Sequence, residues 1–165
     1  QLQSKGKAMN TFQPNRYEHG HPMLLAGLRH HHNYNEAAAN IPMQWRTFVQ
    51  QLPLPAQTQD TTYGVVCGHD ASSFEYMTGV EVSSFDGLPA ETGRVRIQPV
   101  RYAVFVHSGA IASIRETWQK IHDWLLHSSY ESAHTPDFER YDERFDRQTG
   151  MGEVEIWVGV VHRTD

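Results

Sequence analysis

The chain matches itself. The stretch ANIPMQWRTF (Ala39 to Phe48) aligns with ASIRETWQKI (Ala112 to Ile121), and Ala, Ile and Trp coincide at a constant offset of 73 residues. Downstream, FEYMTGVEV (Phe74 to Val82) aligns with VEIWVGVVH (Val154 to His162) at an offset of 80, which sets Glu75 on Glu155, Met77 on Trp157 and Gly79 on Gly159. A helix-like and a strand-like segment repeated in the same order imply a duplicated supersecondary unit. The two copies must then share one core, which restricts the fold strongly.

Apolar spacing supplies the elements of each half. One helix is expected over roughly Glu36 to Leu52, with Ile41, Trp45, Phe48 and Leu52 on one stripe. Its counterpart covers roughly Ala110 to His127, with Ile114, Trp118, Ile121 and Leu125. Strands are expected at 23–31, 61–68 and 74–82 in the first half, and at 101–109, 138–145 and 152–161 in the second. RVRI in the linker suggests one more short strand. The fold class is therefore α+β: tandem βαββ halves, about 22–83 and 99–162, related by a pseudo-twofold axis. Their sheet is mostly antiparallel, and the two helices flank a central cleft. Residues 1–20 are polar and are expected to form a flexible segment outside a single domain of 21–163, with Met9 a candidate start.

Charge and composition exclude several functions. A net charge of −5 argues against direct nucleic-acid binding, which needs a basic face. The single cysteine, Cys67, permits no internal disulfide and no cysteine metal cluster; it reads as an inert core thiol in a cytoplasmic protein. No run approaches the length of a membrane span. RHHHNYN (Arg29 to Asn35) offers His30 and His32 on one face of a strand, too few for a metal site, and reads as a solvated strand-to-helix loop. There is no GxSxG elbow and no HExxH spacing. YDERFD (Tyr141 to Asp146) alternates in sign, as a solvated strand or turn does.

The chemistry of interest lies in GEVEIWVGVV (Gly152 to Val161). Val154, Ile156, Val158 and Val160 take one face of a strand, and Glu155 and Trp157 share the other. An unpaired buried carboxylate is costly. Glu155 therefore waits for a cationic guest held against an aromatic wall, or pairs with an arginine such as Arg101, or reaches water. Trp45, Trp118, Tyr76 and Tyr102 are further lining candidates, with core packing the alternative for each. Glu75 is the repeat-mate of Glu155 and a candidate second acid.

These residues carry a resemblance. RYAVFVHSGAIASIRETWQKIHDWL, TPDFERYDERFDRQTG, GEVEIWVGV, FEYMTGVEV and LPAETGRVRIQPVRYAVF resemble the AraC-type effector-binding domain, also called the GyrI-like small-molecule-binding domain, over about Pro22 to Val161. The resemblance implies a duplicated βαββ fold whose cleft takes amphipathic, often cationic, organic molecules. It also implies that Glu155 is the pocket acid, while Gly159 stands where the family often has proline. It implies a sensing or sequestering domain, stand-alone or part of a longer regulator, that works with a small-molecule partner and with a separate DNA-binding or target protein. No cofactor and no metal are called for. Two other functions follow from relatives: hydrolysis of reactive small molecules with the cleft acid as acid or base, and an inhibitor-type protein-binding module.

Overall fold

The computed structural model describes residues 11–164. In chain order the elements are β1 (Arg16–His19), β2 (Met23–Asn33), α1 (Ala37–Val49), β3 (Gln57–His69), β4 (Ser73–Val82), β5 (Gly93–Ile97) and β6 (Arg101–Ala110). A 3-10 turn (Ile111–Ser113) then leads into α2 (Ile114–His127), followed by β7 (Tyr130–Ser132), β8 (Asp137–Tyr141), β9 (Phe145–Asp146) and β10 (Met151–His162). The main sheet runs β1-β6-β10-β8-β3-β4-β2-β5, and β7 and β9 attach to β10. Each pairing is antiparallel.

The duplication is visible in this order. β2-β4-β3 in the first half repeats as β6-β10-β8 in the second, and the halves join through the β3–β8 ladder. The repeat registers the seam. Tyr76 pairs with Val66, and its mate Ile156 pairs with Glu139. Val66 is therefore the counterpart of Glu139, and the pseudo-axis falls at the Val65–Phe138 pair between them.

Both helices lie on one face of the sheet. α1 covers Ala26, Val80 and Val82 with Phe48, and α2 covers Ala103, Phe105, Ile156 and Val158 with Ile121 and Trp124. A third core of Leu25, Tyr63, Val65, Met77, Tyr102, Val104 and Phe138 fills the opposite face. The central strands are thus buried on both sides, so any polar side chain there must find partners.

Some boundaries differ from expectation. β1 lies inside the segment expected to stay outside the domain: Arg16 to His19 pair with Val104 to Arg101 of β6. Residues 1–10 of that segment fall outside the described residues. The expected strand at 138–145 breaks at a turn held by Asp142, whose carboxylate accepts the backbone N–H of Arg144 at 3.0 Å. The histidine run is not a solvated loop. β2 continues through it to Asn33, and His32 is buried with Nε2 2.6 Å from Oε1 of Gln44 on α1. Cys67 is half-buried, and burial pushes its thiol up, as suits an inert group.

Candidate functional site

The polar residues of the central sheet converge on Glu139. It sits in the middle of β8, directly opposite Gly64 of β3, on the face that carries the helices. Its Oε1 accepts the hydroxyls of Tyr76 and Tyr141, each at 2.7 Å. Its Oε2 accepts the indole N–H of Trp118, from α2, at 2.9 Å. From the other helix, the indole N–H of Trp45 donates to the Tyr76 hydroxyl at 3.3 Å. The two repeat-related tryptophans therefore reach one carboxylate cluster from opposite sides of the axis. Both are half-buried, whereas Glu139 is 5% exposed.

Gly64 makes the cluster possible. A β-carbon there would lie 2.0 Å from the Tyr76 hydroxyl and 2.6 Å from Glu139 Oε1. The bare backbone lets both groups lie flat over the sheet.

Among the described residues Glu139 forms no salt bridge. Burial raises its pKa; the donors Tyr76, Trp118 and Tyr141 and the neighbouring His107 work in the other direction. Burial beside this acid also raises both tyrosines well above their ordinary value. The result is an acid wrapped in donors and aromatic surface without a counter-cation. Beside it lies a pocket of about 420 Å³, lined by Asp60, Glu143, Phe145, Arg147 and the ring of Tyr141. Tyr141 is shared: it lines the pocket, its hydroxyl binds Glu139, and its ring centroid lies 5.0 Å from that of Trp45.

Of the residues singled out in the sequence, Trp45, Trp118 and Tyr76 meet at this cluster. Glu155 and Trp157 lie together on the opposite face of the sheet, with the Trp157 indole donating to Glu155 Oε1 at 2.9 Å. The expectation of an unpaired acid at Glu155 does not match its surroundings. Arg16 and Arg144 reach Oε2 at 3.0 and 3.1 Å, and Arg140 stands 3.9 Å from Oε1. The guanidinium groups that hold it come from β1 and from the turn after β8 rather than from Arg101, which stacks on Tyr17 at 4.5 Å. Tyr102 is buried in the opposite core against Phe138 and Trp157. Glu75 is partly exposed and bound by Arg29 at 3.2 Å and His31 at 3.0 Å.

Glu139, Tyr141 and Gly64 escaped the sequence reading. A signal was present: Phe138 and Tyr141 fall on opposite faces of one short strand. Both faces must then be covered, and an acid between them is buried on either.

A duplicated βαββ sheet with both helices on one face is the architecture of effector-binding domains. The family described as Cass2, integron-associated effector binding protein, matches residues 18–160. The chain belongs to that family, and the GyrI-like resemblance of its sequence is shown. The transcriptional regulator BrlR of Pseudomonas aeruginosa is 35% identical over 110 residues, which cover 64% of this chain and 40% of BrlR. The chain thus spans about two fifths of that relative's length. SAV2435 bound to tetraphenylphosphonium superposes with a TM-score of 0.72 at 18% identity, over 88% of this chain and 93% of that one. The integron cassette protein VCH_CASS2, from the mobile metagenome of Vibrio cholerae, gives 0.67 at 16% identity, over 88% and 95%. Among the described residues no helix is long and apolar enough to cross a membrane.

Proposed function

We propose that this domain reversibly captures amphipathic organic cations between Trp45 and Trp118, with Glu139 as counter-charge, and that capture serves transcriptional regulation or sequestration. One observation carries the proposal: Glu139 is buried among donors and indoles and forms no salt bridge among the described residues. A guest cation would supply the missing charge, and flat aromatic walls tolerate varied shapes. The tetraphenylphosphonium bound to SAV2435 and the regulator named among the relatives fit this reading.

The sign of the pH dependence follows from the acid. A cation binds the ionised carboxylate, and the pKa of Glu139 is raised. Affinity should therefore climb as pH rises through that pKa, with a proton released on binding below it. The test is a tryptophan-fluorescence titration with tetraphenylphosphonium and with neutral triphenylphosphine oxide. Glu139→Gln is expected to weaken the cation by at least about tenfold and the neutral compound by less than about twofold. Equal losses for both compounds would refute the electrostatic role. A raised acid beside two tyrosines also suits general acid catalysis. Turnover of a reactive electrophile that disappears in Glu139→Gln would favour a hydrolase.

A further inference from the structure

The cation site carries a cation of its own at its outer edge. Arg147 lies in the turn between β9 and β10, and its guanidinium carbon stands 5.7 Å from the centroid of the Trp45 ring. Its Nη2 donates to the buried hydroxyl of Thr62 at 2.9 Å. No carboxylate lies within salt-bridge distance of it among the described residues, although Asp60 and Glu143 line the same pocket. Nearby Arg140 and Arg144 both bind carboxylates, while Arg147 is exposed overall and its guanidinium rests on an indole face and a hydroxyl. Trp45 in turn leads inward: its ring meets Tyr141, and its N–H holds the Tyr76 hydroxyl that binds Glu139.

We infer that Arg147 is a specificity-determining residue, a tethered competitor that occupies the Trp45 face and opposes incoming cations with a like charge. The inference rests on the cation-capture reading above. A guanidinium over an indole is held by the same quadrupole attraction that would hold an organic cation. A cationic guest must displace it from Trp45 or bind beside it. A neutral guest meets the occupied face without the repulsion. Arg147 thus raises the concentration at which cations are captured and narrows the difference between cationic and neutral guests.

The test compares wild type, Arg147→Gln, Arg147→Met and Arg147→Lys in titrations with tetraphenylphosphonium and triphenylphosphine oxide, with thermal unfolding as a check of folding. Gln keeps a donor for Thr62, and Met keeps the length without charge. Both are expected to bind tetraphenylphosphonium more tightly, by roughly fivefold to tenfold, and to change the neutral compound by less than about twofold. Lys keeps the charge but not the planar group that stacks on Trp45, so its gain should fall clearly short of that in Gln and Met. Unchanged or weaker cation binding in Gln and Met overturns the inference, as does a gain in Lys equal to that in Gln. Wild-type binding that depends on Glu139 but ignores Arg147 leaves the proposed function standing and removes only this inference. Absence of cation binding in all four proteins ends both.

Discussion

Replacing Gly64 by alanine tests the carboxylate cluster directly, because general rules and this structure give opposite signs. Inside a strand, alanine is favoured over glycine by roughly 0.5–1 kcal/mol. Here the new methyl group would stand 2.0 Å from the Tyr76 hydroxyl, 2.7 Å from its ring carbon Cζ and 2.6 Å from Glu139 Oε1. Tyr76 would have to withdraw by more than about 1 Å to reach van der Waals contact. Its bond to Glu139 and the bond it accepts from Trp45 would both break. Losing a hydrogen bond to a charged group costs about 1.5–3 kcal/mol, and the second bond about 1 kcal/mol more. Set against the alanine preference, Gly64→Ala should therefore destabilise by about 1.5–3.5 kcal/mol in urea unfolding followed by circular dichroism. Tyr76→Phe removes the same hydroxyl and should cost about 2 kcal/mol. Since both changes break the same bonds, the double variant should lie within about 1 kcal/mol of Gly64→Ala alone. A neutral or stabilised Gly64→Ala, or additive losses, would refute the reasoning.

Three further outcomes are expected. Burial pushes Asp137 up to about 7 while its carboxylate accepts the Gly159 N–H at 2.9 Å. The folded state then holds a proton that the unfolded chain releases near pH 4, so this group's contribution is full below that pH and is lost as pH rises through about 7. Asp137→Asn keeps the acceptor and should flatten thermal stability between pH 4 and 8, adding about 1–4 kcal/mol at the upper end. Glu155, whose pKa is lowered by Trp157 and its arginines against the pull of burial, acts in the opposite sense, its contribution vanishing as pH falls through its folded pKa. Glu155→Gln should cost about 2–4 kcal/mol in urea unfolding while leaving tetraphenylphosphonium affinity within about twofold. Trp118→Phe strips a donor from Glu139 Oε2. It should cost about 1.5–3 kcal/mol and move the pH-dependent gain in cation affinity to higher pH.

Local periodicity made the framework readable, and long-range partnership remained hidden. Trp45 and Trp118 could be matched because a helix repeats its stripe at fixed spacing, and both do reach the axis. Strand alternation set Glu155 beside Trp157, and the two are hydrogen-bonded. What alternation does not supply is the partner across the fold. Arg16 lies 139 residues from Glu155 in sequence, on a four-residue polar strand whose own pattern carries no burial signal. Its order comes from pairing with β6. Glu139 was obscured for a related reason. FERYDERF alternates in charge like a solvated strand, and its burial comes from a central place in the sheet that no local pattern announces.

The registers at the seam bear on why one polypeptide holds both halves. Glu139 has Val66 as its counterpart, and Tyr76 has Ile156. An assembly of two identical subunits would carry each feature twice: two acids at diagonal positions about 7–8 Å apart, repelling each other, or none. Two halves joined in one chain are free of that enforced identity. The second half supplies the acid and one hydroxyl donor, Tyr141, and the first half supplies the other, Tyr76, while the tryptophans hold matching places in both. The asymmetry of the carboxylate cluster thus depends on tandem linkage, a division of labour that no homodimer of either half could reproduce.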